Sequence, residues 1–331
     1  MIITFFRSSS FGTHTLCPHR FFLEYSLGLK YPSGKKADKG NCCHKVFETL
    51  GNIKLCKQKG LRKWNDENLG EFDVLNFSID DIIRKSFEFY VKITPYHDWE
   101  EVDFRDCSKW VYNTLEHSDG LYNPLNRTIV DVERRFDIVI EQPWAKYNYK
   151  LETGEVINGY LGLSGTIDLV VDDDNGGIEI LDWKTGSRNK FPSSKPKEYI
   201  DLIEDPQFLM YTYAARRVYN QPNIMLTVFF CRDGGPYALP FSSDDDEKTE
   251  WMLRREFNTI RNTKVPKLCP GWYCKVCPFA QNFTDEGETL CEHYARRVRK
   301  DGIDKLFVEL GSIKKINNYG DGGGKRTIDK N

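Results

Sequence analysis

Two charged residues lie near the end of a stretch whose other residues predict a buried strand. The stretch GIEILDWKTG (177–186) is largely apolar, yet it carries Asp182 and Lys184. A buried charge is costly unless it is paired or binds a metal. Because alternate residues of a strand point to the same face, the two side chains project together. Their placement suggests a site that uses charge.

A second aspartate, Asp168 in SGTIDLV, belongs to the preceding strand candidate. A three-residue loop at 174–176 would set Asp168 opposite Asp182, whereas a two-residue Asn-Gly loop would put the carboxylates on opposite faces. We predict an odd-length loop or a bulge, with both carboxylates on one face. Two aspartates beside Lys184 suit a hard divalent cation such as Mg²⁺ or Mn²⁺. The alternative is a solvated hairpin end with a surface ion pair.

Two pairs of residues with helical spacing flank this hairpin in the sequence, one before it and one after it. His44 and Glu48 are four residues apart and share one helix face, and imidazole is a common metal ligand. Gln207 and Tyr211 have the same spacing on the following helix, where they could steady Lys184 or contact a substrate. Each pair alone would fit an ordinary helix. Their order around the aspartates favours a single site.

The ten cysteines fall into two groups. Five are interpreted as small buried hydrophobic residues: Cys42, Cys43, Cys56, Cys107 and Cys231. The other five are Cys17, Cys269, Cys274, Cys277 and Cys291. Within the second group, the C-x-x-C pair has the spacing of a metal site. Because no export signal is recognisable, a disulfide framework is not expected.

The elements that must position these residues follow an α/β pattern. Helix candidates lie at 17–29, 41–55, 79–93, 205–219 and 242–262. Strand candidates lie at 128–140, 160–171, 177–183 and 223–230, and a polar loop is predicted at 30–40. Strands followed by helices, behind a helical half, indicate an α/β core with helical decoration.

A chain of 331 residues is long enough for one large domain or two smaller ones. We predict one domain over 1–310, made of a mainly helical part (1–125), a sheet core (126–235) and a helix with the cysteine group (236–310). The Gly-rich end, 311–331, is predicted to be disordered.

The composition excludes several broad classes of protein. The net charge is −2, so a nucleic-acid partner would need a local basic patch. No apolar run approaches the roughly 18 residues of a membrane span, and the first residues are too interrupted for a signal peptide. We therefore expect no membrane association and a cytoplasmic location.

The motifs together resemble the RecB-type branch of the PD-(D/E)XK nucleases. Over residues 44–211, in the family's order, they are HKVFE (His44), GTIDLV (Asp168), LDWKTG (Asp182, Lys184) and QFLMY (Gln207, Tyr211). The resemblance implies a restriction-endonuclease-like core, that is, a mixed central sheet flanked by helices. It also implies metal-dependent cleavage of DNA phosphodiesters.

The resemblance further implies a ligand set for the cation. His44, Asp168 and Asp182 would bind Mg²⁺ or Mn²⁺, with the carbonyl of Trp183 as a further ligand. Glu133, on the preceding strand candidate, is a possible additional carboxylate.

The catalytic roles also follow from the resemblance. Lys184 would be the catalytic lysine beside Asp168 and Asp182, and Gln207 and Tyr211 the accessory pair. The expected activity is that of a DNA exonuclease acting on single strands or ends. The alternatives are a non-catalytic DNA-binding or assembly module of the same fold, and a CRISPR-type adaptation factor that trims DNA for an integrase.

The second cysteine group resembles the iron–sulfur subset of this branch, which includes CRISPR-associated adaptation nucleases and the AddB nuclease domain. In that subset, four cysteines hold a 4Fe–4S cluster that ties the chain ends together. The ligands would be Cys17, Cys274, Cys277 and Cys291. Cys269 is the alternative fourth ligand, because the last family cysteine usually follows the C-x-x-C more closely. A tetrahedral zinc site is the alternative metal centre.

The last expectations concern the partners and the form of the substrate. No helicase motif is present, so unwinding would come from a helicase, recombinase or integrase partner, in a prokaryotic or phage-infected cell. Phe21, Phe22 and Tyr25, near Cys17, could stack on unpaired bases. Core packing is the favoured interpretation of these three aromatic residues.

Overall fold

The computed structural model describes residues 1–188 and 195–311. The α-helices are α1 (Ser8–Leu16), α2 (Pro18–Phe21), α3 (Lys35–Gln58), α4 (Ile79–Ile93), α5 (Glu101–Leu115), α6 (Tyr199–Ile203), α7 (Pro206–Tyr219), α8 (Asp245–Asn262), α9 (Pro278–Gln281), α10 (Leu290–Asp301) and α11 (Ile303–Leu310). The strands are β1 (Phe5–Phe6), β2 (Lys63–Asp66), β3 (Gly70–Asp73), β4 (Ile129–Val139), β5 (Lys146–Lys150), β6 (Val156–Tyr160), β7 (Gly162–Asp172), β8 (Ile178–Lys184), β9 (Ile224–Phe230) and β10 (Gly235–Phe241). The end predicted to be disordered lies, apart from residue 311, outside the described residues.

The chain divides into two compact units, each built from separate stretches of sequence. The first unit comprises Met1–Pro32, Phe136–Gly165 and Asp245–Asn331. The second comprises Ser33–Arg135 and Thr166–Asp244. Strands β4 and β7 each begin in one unit and end in the other.

The second unit is built on a mixed sheet. Its strands follow the order β7-β8-β9-β10, and β4 also pairs with β7. The β7–β8 and β9–β10 pairs are antiparallel, whereas β8 and β9 run parallel, with α6 and α7 between them in the chain. A mixed sheet flanked by helices is the architecture that the sequence predicts, and the α/β prediction is confirmed.

The β7–β8 hairpin has the register that the charge pattern requires. Leu169 pairs with Leu181, and the same register continued by one step sets Asp168 opposite Asp182. The connection between the last paired residues is 173–177, an odd number of residues. Because directly opposed residues of a sheet share a face, the prediction that both aspartates lie on one face is confirmed.

The turn itself is stabilised by one of its own acids. The Asp173 carboxylate accepts hydrogen bonds from the N–H groups of Asn175 (2.9 Å) and Gly177 (2.8 Å). The backbone is left-handed at Asp174 (φ 62°) and Gly176 (φ 83°), a conformation that Asp, Asn and Gly tolerate best. The acidic, Gly-containing stretch therefore favours this turn locally.

Helix α3 packs on the sheet through one face. Its buried apolar residues recur every three or four positions, which places them on one side of the helix: Cys42, Cys43, Val46, Phe47, Leu50 and Ile53. The Phe47 ring stacks on Trp183 of β8, with 4.5 Å between centroids. At Gly51 the helix comes so close to the sheet that a Cβ would lie 3.0 Å from Val132 and 3.2 Å from Leu169.

The interpretation of the first cysteine group is confirmed for four of its five members. Cys42, Cys43, Cys107 and Cys231 are at most 1 % exposed in the core of the second unit. Cys56 is half-buried at the edge of that core.

The first unit has a smaller β arrangement. Strand β1 pairs in parallel with the beginning of β7, with Phe5 opposite Gly162. Strands β5 and β6 form an antiparallel pair, and the Tyr149 hydroxyl of β5 donates to the Ile3 carbonyl at 3.0 Å. These contacts hold the N-terminal residues in this unit.

Two of the three aromatic residues near Cys17 belong to the core. Phe21 and Phe22 are 0 % and 1 % exposed. The Tyr25 ring stacks on Phe21 at 5.1 Å, and its hydroxyl donates to Ser9. Phe21 and Phe22 therefore cannot stack on DNA bases, and the core interpretation is correct for these two, whereas Tyr25 is half-buried.

Some predicted elements differ from those observed. The candidate helix at 17–29 splits into α2 and a π-helical turn at Phe22–Ser26. The predicted loop at 30–40 is wrong in its second half, because α3 begins at Lys35. Lys, Ala and Asp are tolerated in a first helical turn, so the polar composition did not exclude a helix there.

Within the part of the chain that the structure describes, the helices are too short or too polar to cross a membrane.

Candidate active site

The hairpin brings Asp168 and Asp182 into the interior of the second unit. Their exposed fractions are 8 % and 1 %. Asp168 is held by the backbone of the partner strand, since its Oδ2 accepts a hydrogen bond from the Trp183 N–H at 3.0 Å. The antiparallel register therefore fixes the orientation of this carboxylate as well as its position.

Lys184, Asp182 and Gln207 form a closed group. The Lys184 ammonium forms an ion pair with Asp182 Oδ2 at 2.6 Å. Lys184 donates to Gln207 Oε1 at 3.1 Å, and Gln207 Nε2 donates to Asp182 Oδ1 at 3.2 Å. This arrangement matches the prediction that Gln207 steadies Lys184.

Helix α7 delivers Gln207 through its N-terminus. The Asp205 side chain caps the helix by accepting the Gln207 N–H at 2.9 Å. The Phe208 ring lies under the Lys184 ammonium, with 5.6 Å between nitrogen and centroid. Tyr211, one turn further on, is 7 % exposed.

His44 reaches the site from helix α3. Its Nδ1 lies 3.4 Å from Asp168 Oδ2, and the imidazole is 29 % exposed. Glu48, the other half of the predicted helical pair, faces Lys45, whose ammonium lies 3.1 Å from Glu48 and 2.6 Å from Asp66. Glu48 therefore belongs to a neighbouring ion-pair group.

Glu133 joins His44 and Asp168. One ligand atom from each of the three side chains lies within 4.8 Å of the other two. Glu133 has a left-handed backbone, with φ at 47°, in the middle of strand β4. The sequence suggested Glu133 only as an additional carboxylate, because a left-handed residue inside a strand leaves no signature in the residue pattern.

The predicted ligand set is therefore only partly gathered into one group. His44 and Asp168 meet with Glu133, whereas the Asp182 carboxylate contacts Lys184 and Gln207. The Trp183 N–H donates a hydrogen bond to Asp168, and the Trp183 ring packs in the core. A ligand role for the Trp183 carbonyl stays a prediction.

Proton affinities in the site are strongly shifted. Burial alone would lower the pKa of His44, but the charge of Asp168 and its hydrogen bond to the ring raise it to about 9. Burial raises the pKa of Asp182 to about 6, with Lys184 opposing the shift and Asp168 adding to it. Burial, with the charge of Asp168 nearby, raises the pKa of Glu133 to about 8.

The two remaining charges are stabilised by their partners. Burial would raise the pKa of Asp168, but His44, Lys184 and the Trp183 N–H lower it. Burial would lower the pKa of Lys184, but Asp182 and Asp168 raise it.

This chemistry fits a divalent cation. Three carboxyl groups share one small region, and two of them, Glu133 and Asp182, have raised pKa values because their negative charge is insufficiently compensated. A cation bound by imidazole nitrogen and carboxylate oxygen would supply that compensation, and Mg²⁺ and Mn²⁺ accept such ligands. The residues present therefore suit the metal that the sequence predicts.

The second cysteine group lies in the first unit. Cys17 precedes α2, and its sulfur accepts the Arg20 N–H at 3.5 Å. Cys274 and Cys277 lie at a 3₁₀ turn before α9, and Cys291 lies in the first turn of α10. The His19 ring hydrogen-bonds the Cys291 carbonyl at 3.1 Å, so the N-terminal and C-terminal cysteines are held in one region.

The thiols influence one another electrostatically. Burial raises the pKa of Cys291 to about 12, and Cys17, Cys277 and Cys274 add to the shift. Cys269 lies beside Tyr273, whose hydroxyl donates to the Cys269 carbonyl, and Cys17, Cys274 and Cys277 lie near the same tyrosine. Among the described residues, no three of these sulfurs lie within 4.8 Å of one another.

The comparison with protein-family models agrees with this architecture. The model of the PD-(D/E)XK nuclease superfamily matches residues 8–281. No curated protein matches the chain. Among solved structures, "Crystal structure of SSO0001" is similar at 15 % identity, over 73 % of this chain and 97 % of that chain, with a TM-score of 0.28. Because the family model spans most of its length, the chain belongs to the PD-(D/E)XK nuclease superfamily.

Proposed function

We propose that this chain is a metal-dependent exonuclease that hydrolyses phosphodiester bonds in single-stranded DNA or at DNA ends. One observation carries the proposal. The hairpin that sets Asp168 opposite Asp182 also holds Lys184 2.6 Å from Asp182. A solvated hairpin end would leave these groups exposed, whereas Asp182 is 1 % exposed.

In this proposal the cation is held by His44, Glu133 and Asp168, with Asp182 at its side and the Trp183 carbonyl as a further candidate. The bound cation would lower the pKa of a water molecule and neutralise charge on the scissile phosphate. His44 and Asp168 come from different elements, α3 and β7, so packing of the helix on the sheet sets the distance between these two ligands.

Lys184 is proposed to stabilise the charge that develops on the phosphate. Asp182 and Gln207 already hold its ammonium, so little reorganisation is needed when that charge develops. Gln207 contacts both Lys184 and Asp182, which makes it the positioning residue of the pair. Tyr211, buried on the same helix, is proposed as its accessory partner.

We place the chain in the RecB-like iron–sulfur subset, with a 4Fe–4S cluster on Cys17, Cys274, Cys277 and Cys291. The hydrogen bond from His19, next to Cys17 and Pro18, to the Cys291 carbonyl supports Cys291 as the fourth ligand, and Cys269 is the alternative. A zinc ion with Zn–S bonds of about 2.3 Å would bring its sulfurs to about 3.8 Å from one another. In a 4Fe–4S cluster each thiolate instead binds its own iron, and zinc is the alternative metal for the same four cysteines.

The proposal places the protein in the cytoplasm, where it would receive unwound DNA from a helicase or recombinase or trim DNA for an integrase. The competing candidate is a non-catalytic DNA-binding module of the same fold. The paired Lys184 and Asp182 argue against that candidate, because binding alone does not require an ion pair that is held in the interior.

The test is cleavage of an end-labelled single-stranded DNA by anaerobically purified protein with Mn²⁺, Mg²⁺ or EDTA. We expect degradation with either metal, none in EDTA and none with Asp182→Ala. Asp172→Ala is the matched control, because Asp172 lies on β7 beside the turn. The product ladder gives the polarity. No cleavage of any single- or double-stranded substrate would favour the binding module.

A further inference from the structure

The segment 264–283 differs in charge from the rest of the chain. It contains three lysines and no aspartate or glutamate, whereas the chain as a whole has a net charge of −2. The next acids, Asp285 and Glu286, begin two residues after its end. This segment lies in the first unit and also carries Cys269, Cys274 and Cys277.

The same segment exposes large apolar side chains. Val265, Trp272, Val276 and Phe283 are 62 %, 54 %, 71 % and 62 % exposed. Exposed apolar patches on a folded protein mark binding surfaces, so this segment is a candidate for one.

The three lysines lie among these apolar residues. Lys264, Lys267 and Lys275 are exposed, and none has an ion pair with the described residues. Their charges are therefore available to a polyanion.

The backbone under these side chains is ordered by local hydrogen bonds. Trp272 begins the 3₁₀ turn Trp272–Val276, and its ring meets Tyr273 edge-on at 5.7 Å. The Gln281 side chain donates to the Cys274 carbonyl at 3.0 Å. Phe283 forms a β-bridge with Thr289. Because the backbone is already held, binding through these rings would lose little further conformational entropy.

We propose that the segment 264–283 is a binding surface for single-stranded DNA, on which Trp272 and Phe283 stack with unpaired bases and the lysines contact phosphates. Aromatic side chains alternating with cations match a strand that offers both flat bases and negative charge. Bases inside a duplex are already stacked, so a duplex would use only the lysines. The inference rests on the proposed function, to which it adds the form of the substrate.

The test measures the affinity for a fluorescein-labelled oligothymidylate by anisotropy, using the full chain with Lys184→Ala and no added metal, so that no cleavage occurs. In this background Trp272→Ala and Phe283→Ala should each weaken binding about 5- to 150-fold. Trp272→Phe should restore most of the loss. Lys275→Ala should reduce the slope of log affinity against log salt by about 0.7.

Trp251→Ala is the matched control. Trp251 is 59 % exposed in the same unit, but Arg255 lies over its ring and it is outside the segment. The Trp251→Ala variant should bind the oligonucleotide with the same affinity as the parent. Unfolding midpoints of all variants, compared with the parent, separate local loss of binding from misfolding.

Two results would overturn the inference. One is unchanged affinity in both Trp272→Ala and Phe283→Ala. The other is equal affinity of the parent for a blunt duplex of the same length. Metal-dependent cleavage by the wild-type chain, measured separately, keeps the proposed function distinct, because it can succeed while these binding results fail.

Discussion

Glu133 combines two properties that rarely coincide in a strand residue. Its backbone is left-handed at φ 47°, and its carboxylate lies beside His44 and Asp168. For a residue other than glycine, this conformation costs about 1–2 kcal/mol. Such strain persists where the surrounding structure imposes it, and it is concentrated at functional sites. We therefore interpret the backbone of Glu133 as the feature that directs its side chain toward the proposed cation site.

Replacing Glu133 by glycine distinguishes the effect of backbone strain on stability from the effect of the carboxylate on metal binding. Glu133→Gly should be no less stable than the wild type without metal, and up to about 1 kcal/mol more stable, because glycine adopts positive φ freely. It should bind Mn²⁺ at least about 10-fold more weakly, because a carboxylate ligand is lost. Thermal unfolding in EDTA and calorimetric titration with Mn²⁺ measure the two effects.

Asp174→Gly is the matched control, because Asp174 has a φ of 62° in the hairpin turn. It should gain similar stability and keep its Mn²⁺ affinity. Glu133→Gln should keep the backbone strain but lose the affinity for Mn²⁺. Unchanged Mn²⁺ binding in Glu133→Gly would show that this residue is not a ligand.

At the scale of elements, the register of β7 against β8 determines which face each carboxylate occupies. The β8–β9 pairing is continuous from Ile178 to Lys184, so β8 is held from its other edge as well. One glycine inserted after Gly176 should be absorbed by the turn and leave cleavage within a few-fold of the wild type. One valine inserted after Ile180 should turn Asp182 away from Asp168 and abolish cleavage.

The two insertions are compared by cleavage rate and by unfolding midpoint. The strand insertion should also lower the midpoint, because Leu181 would move to the opposite face of the sheet. Equal activity of both variants would mean that the register does not position the aspartates.

Close approach of helix α3 to the sheet is a second requirement at this scale. Gly51→Ala places a methyl group 3.0 Å from Val132 and 3.2 Å from Leu169, and Leu169 is fully buried. The clash should outweigh the better helix propensity of alanine and destabilise the protein by about 1–2 kcal/mol in urea unfolding.

Gly12→Ala is the comparison for Gly51→Ala. Gly12 lies inside helix α1 with open space where a Cβ would stand. Because alanine is the better helix former, Gly12→Ala should stabilise the protein by up to about 1 kcal/mol. Stabilisation of a similar size in Gly51→Ala would contradict the close packing of α3.

At the scale of the whole molecule, a buried ionic network contributes to the dependence of stability on pH. Asp103 of α5 is 6 % exposed and accepts hydrogen bonds from Lys39 (3.0 Å) and from the Glu100 N–H (3.0 Å), with Lys35 2.5 Å away. Burial would raise the pKa of Asp103, but these donors lower it. Its stabilising contribution is therefore fully present above about pH 4 and is lost as pH falls through the lowered pKa.

Asp103→Asn should lower the free energy of unfolding by about 2 kcal/mol at pH 7. The difference from the wild type should shrink once the pH falls below about 4. Asp106→Asn is the control, because Asp106 also pairs with Lys39, at 2.6 Å, but its side chain is 43 % exposed. This substitution should lower the free energy of unfolding by less than about 1 kcal/mol. Urea unfolding across this pH range tests both, and a constant difference down to pH 3 would contradict the assignment.

Much of the architecture could be predicted because local patterns and tertiary structure agree. The bounds of α4 follow from an amphipathic run behind Ser78, whose side chain caps the helix at the Asp81 N–H. The β7–β8 hairpin follows from alternating apolar residues around an acidic turn. In both cases the local residues alone favour the structure that the core also requires.

Other features were not predictable because contacts distant in sequence decide them. Strand β10 contains Pro236 and Pro240, which argue against a strand unless it lies at the edge of a sheet, and β10 is at the end of the strand order. The Glu133 backbone is set by its surroundings rather than by its neighbours in sequence. The candidate cation site was therefore predicted in His44 and Asp168, but not in the backbone geometry of Glu133, its third member.

The most direct test of the central claim compares single-turnover cleavage of DNA in Mn²⁺ by the wild type, Lys184→Ala and Lys197→Ala. Lys197 pairs with Asp205 and is 43 % exposed, so it controls for the loss of one positive charge near helix α7. We predict a rate loss of about 10²–10³-fold for Lys184→Ala, with an unchanged fold, and little change for Lys197→Ala. Cleavage by Lys184→Ala at the wild-type rate would contradict the account.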